Sequence, residues 1–378
     1  MMFKDQNVFF ITKSDRFFYL YADALIHKAS TSPETIKVVV FDCVEGIKAG
    51  SIDKVPGVEY LNYDESMLSQ LEDARTITFM SLNQANSTMV RKVIDYSENL
   101  LRKTYIFLTD DEIDRWHSCI DKHGKMVPSK KLAIAQDDIY VSQRIINFIG
   151  HEKTFYERVT SALQRKDIEF VNAGVIFDTL PTSITQSLEK AIVDGNQWLT
   201  KEKRVLIGTK QKSISFSEIK ALLSEFCNQK QAENYKFTIL WHKKNRKQRI
   251  LLDLFISYLR HVKRQTLDIS YVTAISPVAY TSLIMSCSHL ILQRRGGAST
   301  ARQYIKWGQG TLCTAAGSPN DFGFKEALGL DVISYSSTKE LVSSIVANRN
   351  DVEKNALNMT QEEARSITEL QQIYATSI

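Results

Sequence analysis

A chain of 378 residues exceeds one ordinary domain and predicts two, and 43% hydrophobic with 24% charged residues is the balance of a soluble globular protein. The formal net charge of +5 suits an anionic ligand or an acidic membrane surface. It is too small, and not gathered into any tail, to point to nucleic acid. No apolar run approaches the ~20 residues of a membrane span, and the opening MMFKDQNVFF lacks the apolar stretch of a secretory leader. Cys43, Cys119, Cys227, Cys287 and Cys313 are odd in number and scattered, with no CxxC pair, which predicts structural thiols in a reducing compartment. The expected location is cytoplasmic, with peripheral contact at the cytoplasmic membrane face compatible with the charge.

Residues 7–12 (NVFFIT) predict the first strand, and 17–29 a helix with Tyr21, Ala22, Leu25 and Ile26 at helical spacing. Residues 36–41 (IKVVVF) are almost wholly apolar, the pattern of a parallel strand covered on both faces. Residues 58–61, 76–80, 104–108 and 131–135 read as further strands, with helices over 66–74, 86–101 and 137–149. The apolar run 170–177 closes this half. Residues 181–203 carry no strand pattern and read as a helical connector. The alternation then restarts: strands over 204–207, 237–241, 269–272, 290–292, 310–314 and 332–334, with helices over 216–227, 250–261 and 277–287 between them. The tail from 338 is helical and polar. The expected fold class is α/β, two Rossmann-like domains facing a cleft, over 1–196 and 197–350, with a helix at 351–378 that packs back on the first domain.

The stretch CSHLILQRRGGAST, residues 287–300, carries the strongest chemical pattern: strand, glycine turn, helix start. Glycines let backbone approach a ligand, and the open N–H groups of a helix's first turn attract anions. Arg294, Arg295, Gly296, Gly297, Ser299 and Thr300 can therefore cradle a diphosphate, or they form a plain strand–helix turn with solvated arginines. Gly208, Thr209 and Lys210 follow the first strand of the second half, where open α/β sheets bind ligands. His242 and Lys243 also follow a strand, in a charge run that serves equally as a solvated face. Ser276 before Pro277 is capping chemistry, or a contact near a base. Asp110 and Asp111 follow the strand TYIFL, where a carboxylate can act as general base or simply favour a helix N-terminus. The seven histidines form no metal-binding spacing and no Ser-His-Asp set is readable.

Two Rossmann-like halves with an anion signal in the second resemble the GT-B fold of glycosyltransferases. The second half is more closely similar to the acetamido-dideoxygalactose transferase family of enterobacterial common antigen synthesis. The resemblance rests on Ala279-Tyr280, Leu283, Cys287, the run Leu290, Ile291, Leu292, and the turn Gly297-Ala298-Ser299-Thr300, where Ser299 replaces a glycine. Leu206-Ile207-Gly208-Thr209-Lys210 is similar to that family's strand and Gly-Asn-Ser opening, and Ser318-Pro319-Asn320-Asp321-Phe322 to its Asn-Pro-Phe loop. The resemblance implies a nucleotide-sugar donor on the second domain, with Asn320 and Asp321 on sugar hydroxyls, and a glycan or lipid-linked acceptor on the first. It implies an inverting, metal-independent reaction of surface polysaccharide synthesis, with Asp110 or Asp111 as base and no cofactor beyond the co-substrate. Two other activities fit the same pattern: a polysaccharide pyruvyl transferase, and a non-catalytic protein that binds a glycan or a partner.

Overall fold

The computed structural model describes residues 2–12, 15, 17–41, 54–199, 203–210, 213–241, 246–273, 276–308 and 310–375, with backbone alone over 192–199. The chain divides into two compact units, one comprising Met1–Phe177 and Glu363–Ile378, the other Asp178–Glu362. The break thus falls ahead of the 196/197 boundary read from sequence, because helix Thr182–Leu199 packs against helix Pro277–Met285 of the second unit.

The first unit holds a seven-stranded sheet: β1 (Asn7–Ile11), β2 (Ile36–Val40), β3 (Glu59–Asn62), β4 (Thr76–Met80), β5 (Thr104–Phe107), β6 (Asn147–Gly150) and β7 (Glu169–Asn172). Their order is β3-β2-β1-β4-β5-β6-β7 and every pairing is parallel. Alternate residues feed two cores: Val8, Phe10, Phe79 and Phe148 on one face, Phe9, Ile11, Phe107 and Ile149 on the other. This double burial is why the strands read as unbroken apolar runs. The far end of helix Val352–Tyr374 completes the second of these cores with Leu370 and Tyr374. The Tyr374 ring lies 5.4 Å from Phe9, its hydroxyl lies 2.8 Å from that of Thr78, and its carbonyl accepts from the Asn7 amide at 2.9 Å.

Three local readings differ. Residues 131–135 form no strand; they make a turn closed by a single bridge between Ser129 and Ile134, with Ala133 at φ 51°. The sheet position goes instead to β6, inside the span read as one helix over 137–149. Ile145, Phe148 and Ile149 continue the helical spacing of Val141, so periodicity alone could not separate them. The helix read over 86–101 is two, Ser87–Tyr96 and Glu98–Lys103, because Ser97 turns extended and caps the second through Leu100 N–H at 3.1 Å.

The second unit holds a six-stranded parallel sheet: β8 (Arg204–Ile207), β9 (Lys236–Leu240), β10 (Asp268–Val272), β11 (His289–Ile291), β12 (Thr311–Ala315) and β13 (Ile333–Tyr335). Its order is β10-β9-β8-β11-β12-β13. Both sheets therefore reverse direction beside their first strand, the doubly wound arrangement. Among the described residues, Cys119, Cys227, Cys287 and Cys313 are buried and free, and burial pushes the Cys287 thiol up to about 12. Cys43 lies outside the described residues. No described helix is long and apolar enough to cross a membrane.

His289 opens β11 in a buried position, with its Nδ1 3.0 Å from the Ser288 hydroxyl. Burial, helped by the Lys203 charge, lowers its pKa from 6.5 to about 4. The unfolded chain thus binds a proton that the folded chain refuses between those two values. Stability is full above the upper value and falls by up to about 3 kcal/mol toward the lower. In urea unfolding, the wild type should lose about 2 kcal/mol more than His289→Gln between roughly neutral pH and pH 5. Equal losses would remove His289 from the acid sensitivity of this unit.

Candidate nucleotide site

At the centre of the second sheet β8 and β11 lie side by side, with Ile207 opposite Ile291 and the Gly208 N–H donating to the Ile291 carbonyl at 2.9 Å. Here the strand order reverses, and the crevice beyond such strand ends is where open α/β sheets dock ligands. Two loops leave this point, Gly208-Thr209-Lys210 and Gln293 through Gly297. Gly296 and Gly297 have φ of 77° and 79°, which non-glycine residues adopt at a cost. They also leave room for specific neighbours. A Cβ on Gly296 would sit 3.0 Å from the Lys210 ammonium; one on Gly297 would sit 2.3 Å from the Thr209 hydroxyl and 2.5 Å from the Gln293 amide nitrogen.

Gln293 ties the two loops together. Its buried amide oxygen accepts from the Thr209 N–H at 3.1 Å and the Thr209 hydroxyl at 3.0 Å, and its nitrogen donates to the Gly296 carbonyl at 2.7 Å. Asn320 reinforces the turn by donating to the carbonyls of Gln293 at 2.6 Å and Gly296 at 3.0 Å. Asp321 accepts from the Thr314 hydroxyl at 2.7 Å and the Gly317 N–H at 3.0 Å. Both side chains are buried, so they hold the loop's shape from beneath. The Tyr280 hydroxyl donates to the Thr209 carbonyl, and burial raises its pKa against the Thr300 and Thr209 hydrogen bonds.

Above this scaffold lies a cavity of about 350 Å³, a size in the range of small-molecule sites. Lys210, Arg294 and Arg295 line it, with Glu218 the sole carboxylate among the lining residues. Tyr335 stands at its edge, pushed up to about 12 chiefly by burial. Helix Ala298–Lys306 starts beside it, placing Ser299 and Thr300 in its first turn. Helices Phe216–Asn228, Pro277–Met285 and Thr338–Ala347 are each capped by a serine hydroxyl, at Ser215, Ser276 and Ser337. No side chain caps the helix that begins at Gly297. Its first-turn N–H groups stay open to an anion, and three fixed cations favour one. A second cavity of about 300 Å³ shares Lys210, Ser213 and Ile214 and is lined by Phe216 and Trp241.

The structure thus joins Gly208, Thr209 and Lys210 with Arg294, Arg295, Gly296, Gly297, Ser299 and Thr300 around one scaffold. Ser276 accepts from the Ala279 N–H at 3.3 Å as a helix cap and lies on the surface. His242 and Lys243 lie outside the described residues. Gln293 and Glu218 were not singled out from sequence, and Tyr280 was named there only as part of the family resemblance. For Gln293 a signal existed: a lone amide directly after an apolar strand must find buried partners.

In the first unit, Asp110 and Asp111 start helix Asp110–His123 beyond β5 and are exposed. The Asp111 carboxylate stands 3.4 Å from the Arg115 guanidinium. The buried acid of this segment is Glu112, whose carboxylate accepts from the Thr109 N–H at 3.0 Å and the Leu82 N–H at 3.3 Å. Burial raises its pKa against those bonds and the Arg115 charge. Glu112 therefore completes a capping box, and the segment serves helix initiation whatever else it does. Among the described residues no group of three or more His, Cys, Asp or Glu is placed to hold a metal.

No protein-family model matches the sequence, and no curated protein is similar to it in sequence. Solved structures are similar over their whole length. The UDP-GlcNAc 2-epimerase of Neisseria meningitidis, bound to UDP-GlcNAc, matches with TM-score 0.58 at 13% identity, covering 98% of both chains. The α,α-trehalose 6-phosphate synthase of Burkholderia multivorans matches with TM-score 0.57 at 9% identity, over 98% of this chain and 97% of that one. HepE of Anabaena, in complex with UDP-glucose, matches with TM-score 0.52 at 12% identity, over 97% and 98%. With two parallel α/β sheets of seven and six strands and full-length likeness to these proteins, the chain has the GT-B fold.

Proposed function

We propose that the chain is a glycosyltransferase that takes a nucleotide-sugar as donor, its diphosphate held at the turn between β11 and helix Ala298–Lys306. The carrying observation is the convergence of Lys210, Arg294 and Arg295 on one cavity beside the uncapped helix start. The GT-B fold supports it, as do neighbours bound to UDP-glucose and UDP-GlcNAc. In the reaction an acceptor oxygen forms a bond to the anomeric carbon, the bond to the phosphate oxygen breaks, and the electron pair leaves on the diphosphate. Cations and backbone N–H groups aimed at that oxygen stabilise charge as it develops. Gln293, Asn320 and Asp321 act as positioning residues that fix the turn. The proposed reaction is inverting and metal-independent, with a glycan or lipid-linked acceptor of bacterial surface polysaccharide synthesis, which rests on the narrower family resemblance. The acceptor proton passes to Asp110 or Asp111.

The test is release of nucleoside diphosphate from candidate UDP-, GDP- and TDP-linked sugars, or of CMP from CMP-linked sugars, with and without glycan acceptors. Asp110→Asn or Asp111→Asn should lower turnover by about a hundredfold or more while nucleotide binding persists. Full turnover in both variants would remove the base assignment. Interconversion of a nucleotide-sugar with no transfer would replace the reading with an epimerase.

A further inference from the structure

Helix Arg246–His261 joins β9 to β10 at the edge of the second unit's sheet. Its inner face packs into the core through Leu252, Ile256 and Leu259. A second apolar stripe points elsewhere. Leu251, Leu254, Tyr258 and Val262, spaced three, four and four residues apart, fall on one side of the helix and its following turn. They are 54, 62, 44 and 65% exposed, and Ile250 beside them is 59% exposed. Isolated exposed leucines need no explanation, but a contiguous stripe marks an interaction surface.

The charge around the stripe is lopsided. Residues 243–264 carry eight lysines and arginines and one carboxylate, a net of +7, whereas the whole chain is +5, so the remaining residues sum to −2. The mild basicity of the protein is therefore a property of this one segment. The single carboxylate, Asp253, is engaged by Arg249 at 2.8 Å and by the Tyr271 hydroxyl at 3.2 Å. Arg246, Lys247, Lys263 and Arg264 are exposed around the stripe.

We propose that this face docks on an anionic lipid surface, with Leu251, Leu254, Tyr258 and Val262 at the headgroup boundary and the flanking cations on lipid phosphates. An apolar stripe within a cationic surround is what an interfacial helix needs, since acyl chains take the stripe and headgroups take the charge. A second copy fits poorly, because a self-complementary contact would set the same +7 segment against itself. The proposal is independent of the nucleotide site, which contains none of these side chains.

Vesicle co-sedimentation of the full chain tests it, with phosphatidylcholine alone and with about one third phosphatidylglycerol. Binding to the anionic vesicles should be at least about tenfold stronger than to the neutral ones and should weaken in roughly 0.5 M salt. Leu254→Ser with Tyr258→Ser, and separately Lys247→Glu with Lys263→Glu, should each reduce it about tenfold with the melting temperature unchanged. Vesicle binding that both double variants leave intact would overturn the proposal. So would absence of vesicle binding together with a dimer that the Leu254→Ser, Tyr258→Ser pair dissolves.

Discussion

Gly297→Ala is expected to abolish nucleotide binding and to destabilise the second unit by about 3 kcal/mol. Two costs add. Alanine is strained at a φ of 79°, by about 1 kcal/mol. Its Cβ would also fall 2.3 Å from the Thr209 hydroxyl and 2.5 Å from the Gln293 amide, so that pair must part. Breaking a buried hydrogen bond of this kind costs roughly 1–3 kcal/mol. Gly317→Ala is the internal control: its φ is 69°, but nothing lies within 4 Å of an added Cβ. It should cost only the backbone strain, about 1 kcal/mol, and leave binding intact. Urea unfolding and calorimetric titration of both variants measure the difference. Equal destabilisation by the two would mean that the Thr209–Gln293 contact contributes nothing.

Removing the cavity's cations has the next largest expected effect. Lys210→Ala should weaken a nucleoside diphosphate by roughly tenfold to a hundredfold, the usual worth of a hydrogen bond to a charged group. Lys210 packs its ammonium against Gly296, so its position is constrained by the turn. Arg294→Ala and Arg295→Ala should each cost about threefold to tenfold; all three side chains are exposed and screened by solvent, and Lys210 differs by its contact with the Gly296 turn. The losses should shrink with added salt and be far smaller for the bare nucleoside, which lacks the phosphates. Undiminished diphosphate affinity in all three variants would remove the cradle and leave the fold standing.

The fold was largely legible because its strands are buried on both faces. Runs such as VFFI in β1 and VVV in β2 have no polar side to hide, and that pattern belongs to a covered parallel sheet. β6 was illegible for a related reason: its apolar pair Phe148 and Ile149, following an amphipathic helix, satisfies either period. Within the site, Arg294 through Thr300 could be read because glycine pairs and arginines are locally unusual. Asn320 and Asp321 were read as ligand contacts, yet their bonds run inward to Gly296, Gln293, Thr314 and Gly317. Which way a polar side chain in a loop points is decided by tertiary contacts that spacing does not encode. Gln293 shows the converse, since its tie between the two loops depends on a partner 84 residues away in the chain. The apolar stripe and its cationic surround were not read together because net charge was weighed over the whole chain rather than along one helix.

Isothermal titration of the 378-residue chain with UDP, GDP, CMP and TDP, each beside its parent nucleoside, tests the nucleotide assignment most directly. At least one of these nucleotides should bind with a dissociation constant of about 1–100 μM, and its nucleoside at least tenfold more weakly. No binding by any of the four, or equal affinity for a nucleotide and its nucleoside, would contradict a phosphate site at the Gly296–Gly297 turn.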